Sequence, residues 1–208
     1  MKLYVNRMSP NARRALIVAH MVDVAVEIVD VDMRTGEHKQ PPYLAINPNH
    51  KVPALTDGDL KLWESNAIAQ YLAAKGGRTD LWPTDPAEQA DVSRWQFWMH
   101  SHFNLALNPI LFERVLKAMF GMGDPDEAVV AAKLPELRTA LAVMEARLGA
   151  HDWLATDRLT LADVAIAASL TYAPGADLPL DEYPAVVAWF GRIRELEAWR
   201  ATDPLAGR

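Results

Sequence analysis

The pattern of apolar residues changes near residue 77, and this change constrains the fold more than any other feature of the sequence. Residues 1–77 alternate between short strand-like runs and helical runs, whereas the residues beyond them have an almost wholly helical pattern. The stretch from Gly76 to Pro86 is polar and rich in turn formers. We therefore predict two domains, at residues 1–77 and 89–208, joined by a linker at residues 78–88.

The first domain begins with a strand, a helix and a second strand. Residues 2–6 and 25–31 have the β-branched, alternating pattern of strands, and residues 11–21 place apolar side chains at helical spacing. A strand-helix-strand unit of this size implies a parallel pair of strands joined by a right-handed crossover.

A hairpin and a helix complete this domain. Residues 52–56 and 61–63 are extended runs that flank Asp57-Gly58-Asp59, a strong hairpin signal. Residues 65–75 predict a helix that is capped by Ser65 and ends at Gly76-Gly77 in a left-handed conformation. The order of elements indicates an α/β domain with a mixed four-stranded sheet and flanking helices, as in the thioredoxin-like architecture.

The second domain is predicted to be an all-α helical bundle. Residues 86–122 form one long helical pattern, which Asn108-Pro109 should kink or break. Asp124-Pro125 predicts the start of a helix that runs to about Leu148, with Asp124 as its cap. Thr160 to Asp163 is a capping-box pattern, and residues 184–199 form the last helix.

Charge and composition exclude several classes of function. The chain has 21 Lys and Arg against 27 Asp and Glu, so neither a nucleic acid nor an anionic membrane is an expected partner. Its longest apolar run, residues 185–190, is far shorter than a membrane span, and residues 1–14 are too polar for a secretory signal. We therefore expect a cytoplasmic protein.

The absence of cysteine removes disulfides, thiolate metal sites and a cysteine nucleophile. Any thiol chemistry must therefore use a sulfur that arrives with a small molecule. The phosphate-binding GxxxxGK[ST], the nucleophile elbow GxSxG and the zinc motif HExxH are also absent. No metal is expected, since His100 and His102 are two residues apart and do not share a helix face.

Ser9 lies where the first strand ends and the first helix begins. A helix N-terminus favours an anion, and a serine hydroxyl can donate its proton to a sulfur while its oxygen caps the helix. Lowering a thiol pKa by about two units requires roughly 2.7 kcal/mol, which one charge-assisted hydrogen bond and a helix terminus can supply. The alternative is that Ser9 and Pro10 are ordinary helix-start residues.

Two further segments could bind parts of a ligand. At the start of the third helix, Ser65 and the amides after it could bind a carboxylate while Glu64 binds an ammonium, although a simple helix cap would look the same. If the bond before Pro53 is cis, Val52 could present its N–H and C=O to an extended peptide.

Four potential cations, His38, Lys39, His50 and Lys51, lie on the loop before the hairpin. Surface loops carry such residues by chance, but together these four could hold a second carboxylate. The whole set therefore predicts an elongated, peptide-like ligand with a carboxylate at one end, an amino acid at the other and a sulfur between them.

The motifs MSPNARR, NPNHKVPAL, WESNAIAQYL and LTLADVAIA, in this order and at these spacings, resemble the cytosolic glutathione transferase family over essentially the whole chain. The resemblance implies a thioredoxin-like domain that binds glutathione as co-substrate, a helical domain that completes a pocket for a hydrophobic electrophile, a homodimer and a role in detoxification. The expected reaction is attack of the glutathione thiolate on an electrophile in a cleft between the domains.

The resemblance also implies roles for single residues. Ser9 matches the hydroxyl that supports the thiolate, and Asn11 matches an asparagine that assists or replaces it in bacterial-type members. Val52 matches the backbone clamp that precedes a cis-proline, here Pro53, and Glu64 and Ser65 match the γ-glutamyl site. Three residues match positions at or near the glycyl end of glutathione, namely His38, His50 and Lys51, and Lys39 lies beside them.

This chain departs from the family at two points. It has Asn66 where some members have an arginine, which could weaken contacts at the γ-glutamyl site or the dimer edge. It also lacks the cysteine with which other members form mixed disulfides.

For the second substrate the sequence offers only His102 and Phe103, which could equally pack against other helices. Two other functions stay open at this point: a glutathione-dependent reductase of disulfides or peroxides, and a non-catalytic binding protein on the same scaffold.

Overall fold

A computed structural model describes residues 1–206 of the chain. The described chain divides into two compact units: residues 1–84 together with residues 195–206, and residues 85–194. Across the described range, none of the helices combines the length and the apolar character needed to cross a membrane.

The first unit contains a four-stranded mixed sheet. Its strands are β1 (Lys2–Val5), β2 (Glu27–Asp30), β3 (Ala54–Asp57) and β4 (Leu60–Trp63), in the order β2-β1-β3-β4. β1 pairs in parallel with β2 and antiparallel with β3, and β3 pairs antiparallel with β4. The central β1 alternates as predicted, since Leu3 is fully buried in the core while its neighbours are partly exposed. The predicted mixed sheet is confirmed.

The hairpin between β3 and β4 has a two-residue turn. Asp57 pairs with Leu60, and Gly58 between them adopts a φ of +57°, in the left-handed region that favours glycine. This turn is the one that the sequence Asp57-Gly58-Asp59 predicted.

Helices flank the sheet of the first unit: α1 (Pro10–Met21), the short α2 (Pro41–Leu44), α3 (Ser65–Lys75) and a C-terminal helix (Glu197–Ala201). A 3₁₀ turn precedes α2 at Glu37–Lys39. α3 ends as predicted: Gly77 is left-handed with a φ of +66°, and its N–H donates to the C=O of Ala74 at 3.1 Å while that of Arg78 donates to Ala73 at 2.9 Å.

Ser65 is not the cap of α3, contrary to the sequence prediction. It is the first residue of the helix, and the preceding Glu64 is the cap, with a φ of +72° and no capping bond from its side chain. The Ser65 hydroxyl is instead an acceptor for a buried arginine, described below, which is a long-range contact that no local pattern encodes.

The C-terminal helix packs on α1 through a buried arginine. The Arg13 guanidinium lies 3.7 Å from the ring centroid of Trp199 and donates to the backbone C=O of the same residue at 2.9 Å. The C-terminal helix therefore packs with the first unit, whereas the sequence analysis placed it in the helical domain predicted at residues 89–208. The predicted limits 1–77, 78–88 and 89–208 stay a prediction.

The second unit is helical throughout, as predicted. Its α-helices are α4 (Pro86–Trp98), α5 (Asn104–Leu111), α6 (Lys117–Phe120), α7 (Glu127–Leu148), α8 (Leu161–Ser169) and α9 (Pro184–Glu195). Two π-helical turns, Met99–Phe103 and Phe112–Leu116, connect α4, α5 and α6 into one winding segment. Short 3₁₀ turns lie at Ala173–Gly175 and Leu180–Glu182.

Two local predictions for this unit need correction. Pro109 lies inside α5 and does not break it, and the departures from α-helical winding are the π turns on either side of that helix. α7 is capped by Asp126, whose carboxylate accepts from the N–H of Ala128 at 2.9 Å and of Val129 at 3.4 Å, and not by Asp124. The motif Asp-Pro-Asp contains two residues that can cap a helix, and the local pattern favoured the wrong one, Asp124.

The capping box at α8 is confirmed and is part of a larger network. Thr160 and Asp163 make the two reciprocal bonds, and both residues are fully buried. The Asp163 carboxylate also accepts from the Leu154 N–H at 2.9 Å and from the indole N–H of Trp189 at 2.9 Å. This carboxylate therefore joins three segments of the helical unit.

Candidate functional site

The N-terminus of α1 presents the hydroxyl of Ser9. Ser9 is the N-cap, and its Oγ accepts from the N–H of Ala12 at 3.3 Å. Because a hydroxyl can accept and donate at once, the proton of Ser9 stays available to a ligand. The residue is only partly buried, so a ligand atom can approach it. Ser9 therefore lies as predicted, at a terminus that favours an anion.

The sequence did not identify Arg14, a buried residue that connects two parts of the site. It is 1% exposed, and its Nη1 donates to the Asn11 Oδ1 at 3.0 Å and to the Ser65 Oγ at 2.6 Å. The structure thereby brings the first turn of α1 next to the first residue of α3. A signal was present: two consecutive arginines, Arg13 and Arg14, lie in the N-terminal half of an otherwise apolar helix, where the helix dipole disfavours cations.

Burial lowers the pKa of Arg14 to about 10, and the nearby Glu64 carboxylate opposes that change. The guanidinium is still charged at neutral pH. A positive charge therefore lies behind the N-termini of both helices, where it adds to their attraction for anions.

The segment Glu64-Ser65-Asn66 forms the N-terminus of α3. The first N–H bonded within the helix is that of Ile68, which donates to the C=O of Glu64 at 3.0 Å, so the N–H groups of residues 65–67 have no partner within the helix. Glu64 is exposed and holds a φ of +72°, a strained conformation for a residue with a side chain. Buried within this segment, Oδ1 of Asn66 has no hydrogen-bond partner among the described residues.

The bond between Val52 and Pro53 is cis, at the start of the hairpin. Within residues 1–206, neither the N–H nor the C=O of Val52 makes a hydrogen bond, so both are available to an extended chain. The preceding C=O of Lys51 is held by two donors that the sequence analysis missed, the Tyr43 hydroxyl at 2.7 Å and the Asn47 amide at 2.8 Å. Burial raises the pKa of Tyr43 to about 12, so this hydroxyl keeps its proton at neutral pH.

The four potential cations of the loop before the hairpin differ in their surroundings. His38 is buried, and its Nδ1 has no hydrogen-bond partner within the described chain. Its ring centroid lies 6.5 Å from that of His50, which is exposed and adopts a left-handed φ of +46°. Lys39 and Lys51 are exposed. The two imidazoles are thus close together, with the lysines on the surface of the same loop.

The two residues nominated for a second substrate separate in the second unit. His102 lines a groove of about 340 Å³ between α7 and the region where α4 passes through the π turn into α5, together with Trp98, Leu105 and Val143. Phe103 is fully buried and packs against Trp98, with a ring-centroid distance of 5.9 Å. Phe103 is therefore a core residue of this unit and has no exposed surface to offer a ligand.

Comparison with known proteins identifies the family. The family model "Glutathione S-transferase, N-terminal domain" matches residues 1–74, and "Glutathione S-transferase, C-terminal domain" matches residues 97–197. A probable glutathione S-transferase of Oryza sativa subsp. japonica is 42% identical, over 91% of this chain and 89% of its own length. Glutathione S-transferase 3 of Zea mays is 39% identical, over 97% and 92% of the two chains.

Solved structures agree in fold. Glutathione S-transferase I from maize, in complex with an atrazine glutathione conjugate, superposes with a TM-score of 0.89 at 37% identity, covering 97% of this chain and 95% of the other. A glutathione-bound transferase of Xanthomonas axonopodis pv. citri, described as theta class, superposes with a TM-score of 0.89 at 32% identity, covering 99% and 97%. The present chain belongs to the glutathione S-transferase family.

Proposed function

We propose that this chain is a glutathione transferase in which Ser9 holds the glutathione sulfur as a thiolate. The thiol proton leaves to solvent, and the sulfur then attacks an electrophilic carbon of a small apolar molecule. A carbon–sulfur bond forms as the leaving group departs with its electron pair or, where the carbon belongs to an activated double bond, as the neighbouring carbon takes up a proton. The protein supplies position and an ionised nucleophile.

The geometry of Ser9 carries this proposal. Its oxygen accepts the Ala12 N–H at 3.3 Å, which leaves its proton for a sulfur at the N-terminus of α1. The helix terminus favours the anion, and Asn11 in the first turn is a second donor. Together these groups lower the pKa of the bound thiol.

The other segments bind the rest of the tripeptide. The γ-glutamyl carboxylate binds at Ser65 and the free N–H groups of α3, and its ammonium binds Glu64, with Asn66 adjoining. The cysteinyl backbone pairs with Val52, the residue before Pro53. The N–H and the C=O of Val52 have no hydrogen-bond partner in the described chain. The glycyl carboxylate lies among two lysines and two histidines, Lys39, Lys51, His38 and His50.

The relatives support a conjugating activity. Maize glutathione S-transferase I has been solved with an atrazine glutathione conjugate, and a glutathione S-transferase-I has been solved with lactoylglutathione. Both ligands join glutathione to a second group. We infer a comparable electrophile, a homodimer and a cytoplasmic, detoxifying role for this chain.

Titration of bound glutathione tests the proposal. The ultraviolet absorbance of the thiolate is measured against pH on the wild-type protein, on Ser9→Ala and on Ser9→Thr, which keeps a hydroxyl. We expect the thiol to titrate about two units below its free value on the wild type, at a higher pH on Ser9→Ala, and between the two on Ser9→Thr. Bound glutathione that titrates as it does in free solution on all three proteins would refute the thiolate mechanism.

A further inference from the structure

We propose that Arg14 is a positioning residue that fixes Asn11 and Ser65 as hydrogen-bond acceptors, so that the donor groups of both side chains face glutathione. This inference rests on the proposed function and adds to it a residue that touches neither the sulfur nor the electrophile.

The geometry places one nitrogen between the two side chains. Nη1 of Arg14 carries two hydrogens, and it lies 3.0 Å from the Asn11 Oδ1 and 2.6 Å from the Ser65 Oγ. Arg14 is 1% exposed and Ser65 is 3% exposed, so water does not compete freely for the bond between them, whereas Asn11 is exposed. Both distances are those of good hydrogen bonds, and the shorter one joins the two buried groups.

An arginine can only donate, and this fixes the orientation of both partners. The Asn11 carboxamide must turn its oxygen toward Arg14, which leaves its NH₂ group to donate on another side. Asn11 is exposed and lies two residues after Ser9, so a ligand can reach this group. The Ser65 oxygen uses a lone pair on Arg14, so its proton points elsewhere. Each side chain is therefore prepared to donate to an anion, Asn11 to the thiolate and Ser65 to the γ-glutamyl carboxylate.

The charge of Arg14 acts in the same direction. Its guanidinium is the buried cation behind the first residues of α1 and α3, and it remains charged at neutral pH because burial lowers its pKa only to about 10. The two ligand groups that would approach these helix termini, the thiolate at α1 and the γ-glutamyl carboxylate at α3, are both negative. Orientation and charge make different predictions for a lysine, which keeps the charge and can still donate but has a shorter, flexible side chain. It lacks the rigid planar guanidinium that would hold two acceptors in fixed positions.

A residue that only tied α1 to α3 would change stability alone, so the test must measure the ligand. We would prepare Arg14→Met, Asn11→Ala and the double variant, and titrate bound glutathione on each. Arg7→Gln is the matched control, because it removes a cation that is exposed and paired with Asp30. Each single variant is expected to raise the thiol pKa by about one unit, the size of one charge-assisted hydrogen bond. The control should leave the thiol pKa at the wild-type value.

The double variant decides whether Arg14 acts through Asn11. If it does, the shift in the thiol pKa of the double variant equals the larger of the two single shifts; independent roles would give the sum of the two.

Arg14→Met and Ser65→Ala should each also raise KM for glutathione about tenfold, with kcat changed less. Where Arg14→Met does not fold, Arg14→Lys takes its place in the cycle, and it should raise the thiol pKa and KM in the same way.

The outcomes separate this inference from the proposed function. Additive shifts, or a folded Arg14 variant with the wild-type thiol pKa and KM, would overturn the role of Arg14 while Ser9→Ala still raised the thiol pKa. If Ser9→Ala and the wild type both titrate as free glutathione does, the proposed function itself fails.

Discussion

Replacing Asp163 by alanine should destabilise the helical unit far more than the loss of an ordinary helix cap. Its carboxylate accepts four hydrogen bonds: Oδ1 from the Leu154 N–H and the Trp189 indole, both at 2.9 Å, and Oδ2 from the Thr160 N–H at 2.9 Å and hydroxyl at 3.2 Å. Burial raises the pKa of this carboxyl, and the four donors oppose that change by favouring the ionised form.

The magnitude follows from the donors that alanine would leave without an acceptor. The Thr160 hydroxyl can rotate, but the three N–H donors of Leu154, Thr160 and Trp189 are fixed and buried, at about 1–3 kcal/mol each. Relief of the carboxylate's desolvation and entry of water offset part of this sum. We expect a net loss of about 4 kcal/mol for Asp163→Ala, against about 1 kcal/mol for a simple cap. For a chain of this length that lowers Tm by roughly 8–16 °C.

Two further variants test the reasoning. Asp163→Asn can keep Oδ1 toward Leu154 and Trp189 but places an NH₂ group against the Thr160 N–H, so its loss should be intermediate. Asp157→Ala is the control, because that side chain is 96% exposed, and its effect should stay within about 0.5 kcal/mol. Stability is measured by urea denaturation at one fixed protein concentration, since dimer formation would add to it. A loss of 1 kcal/mol or less for Asp163→Ala would show that the network adds nothing to an ordinary cap.

Three other predictions follow from local contacts. Asp126→Ala should cost about 1 kcal/mol in urea denaturation and Asp124→Ala close to nothing, and equal effects would contradict the assignment of Asp126 as the cap of α7. Arg13→Met should speed proteolytic cleavage after residue 195 without changing the thiol pKa of bound glutathione; an unchanged cleavage rate would contradict its role in holding the C-terminal helix. The hydrogen bond from Lys75 lowers the pKa of Asp57, so its contribution to stability is present above the unfolded-state pKa near 3.9 and is lost as pH falls through the folded value. The Tm difference between wild type and Asp57→Asn should accordingly shrink from pH 6 to pH 3, and a constant difference would contradict this linkage.

Local sequence patterns were sufficient to predict most of the fold. Alternation in β1, the Asp57-Gly58-Asp59 turn and the glycines after α3 each describe a conformation that neighbouring residues determine. The errors occurred where a local pattern allowed two solutions. Ser65 was a good cap candidate by type, but its hydroxyl is engaged by an arginine 51 residues earlier in the chain.

The site was predictable only in part, for the same reason. Ser9 follows from local capping chemistry, whereas Tyr43 and Asn47 act by converging on the carbonyl of Lys51. Those two contacts close a loop within a few residues, yet nothing in the spacing of a tyrosine and an asparagine marks them as donors to one oxygen. The burial of His38 is likewise a tertiary property of a loop that reads as surface.

The consecutive arginines of α1 show how the fold and the site meet in one helix. Adjacent helical residues point about 100° apart, so Arg13 and Arg14 reach different neighbours from the same turn. Arg13 contacts Trp199 and Arg14 contacts Ser65, and each charge is almost fully buried. Replacing a buried ion pair by apolar residues of similar volume is often neutral or stabilising, so burial of a charge is not by itself evidence of a role in stability. Arg13 contacts a C-terminal helix that no proposed ligand group approaches, whereas Arg14 contacts two residues that would hold glutathione. If both arginines were present only for stability, apolar variants at the two positions would behave alike; a change in the bound thiol at Arg14 alone would show that the second cation is kept for the ligand.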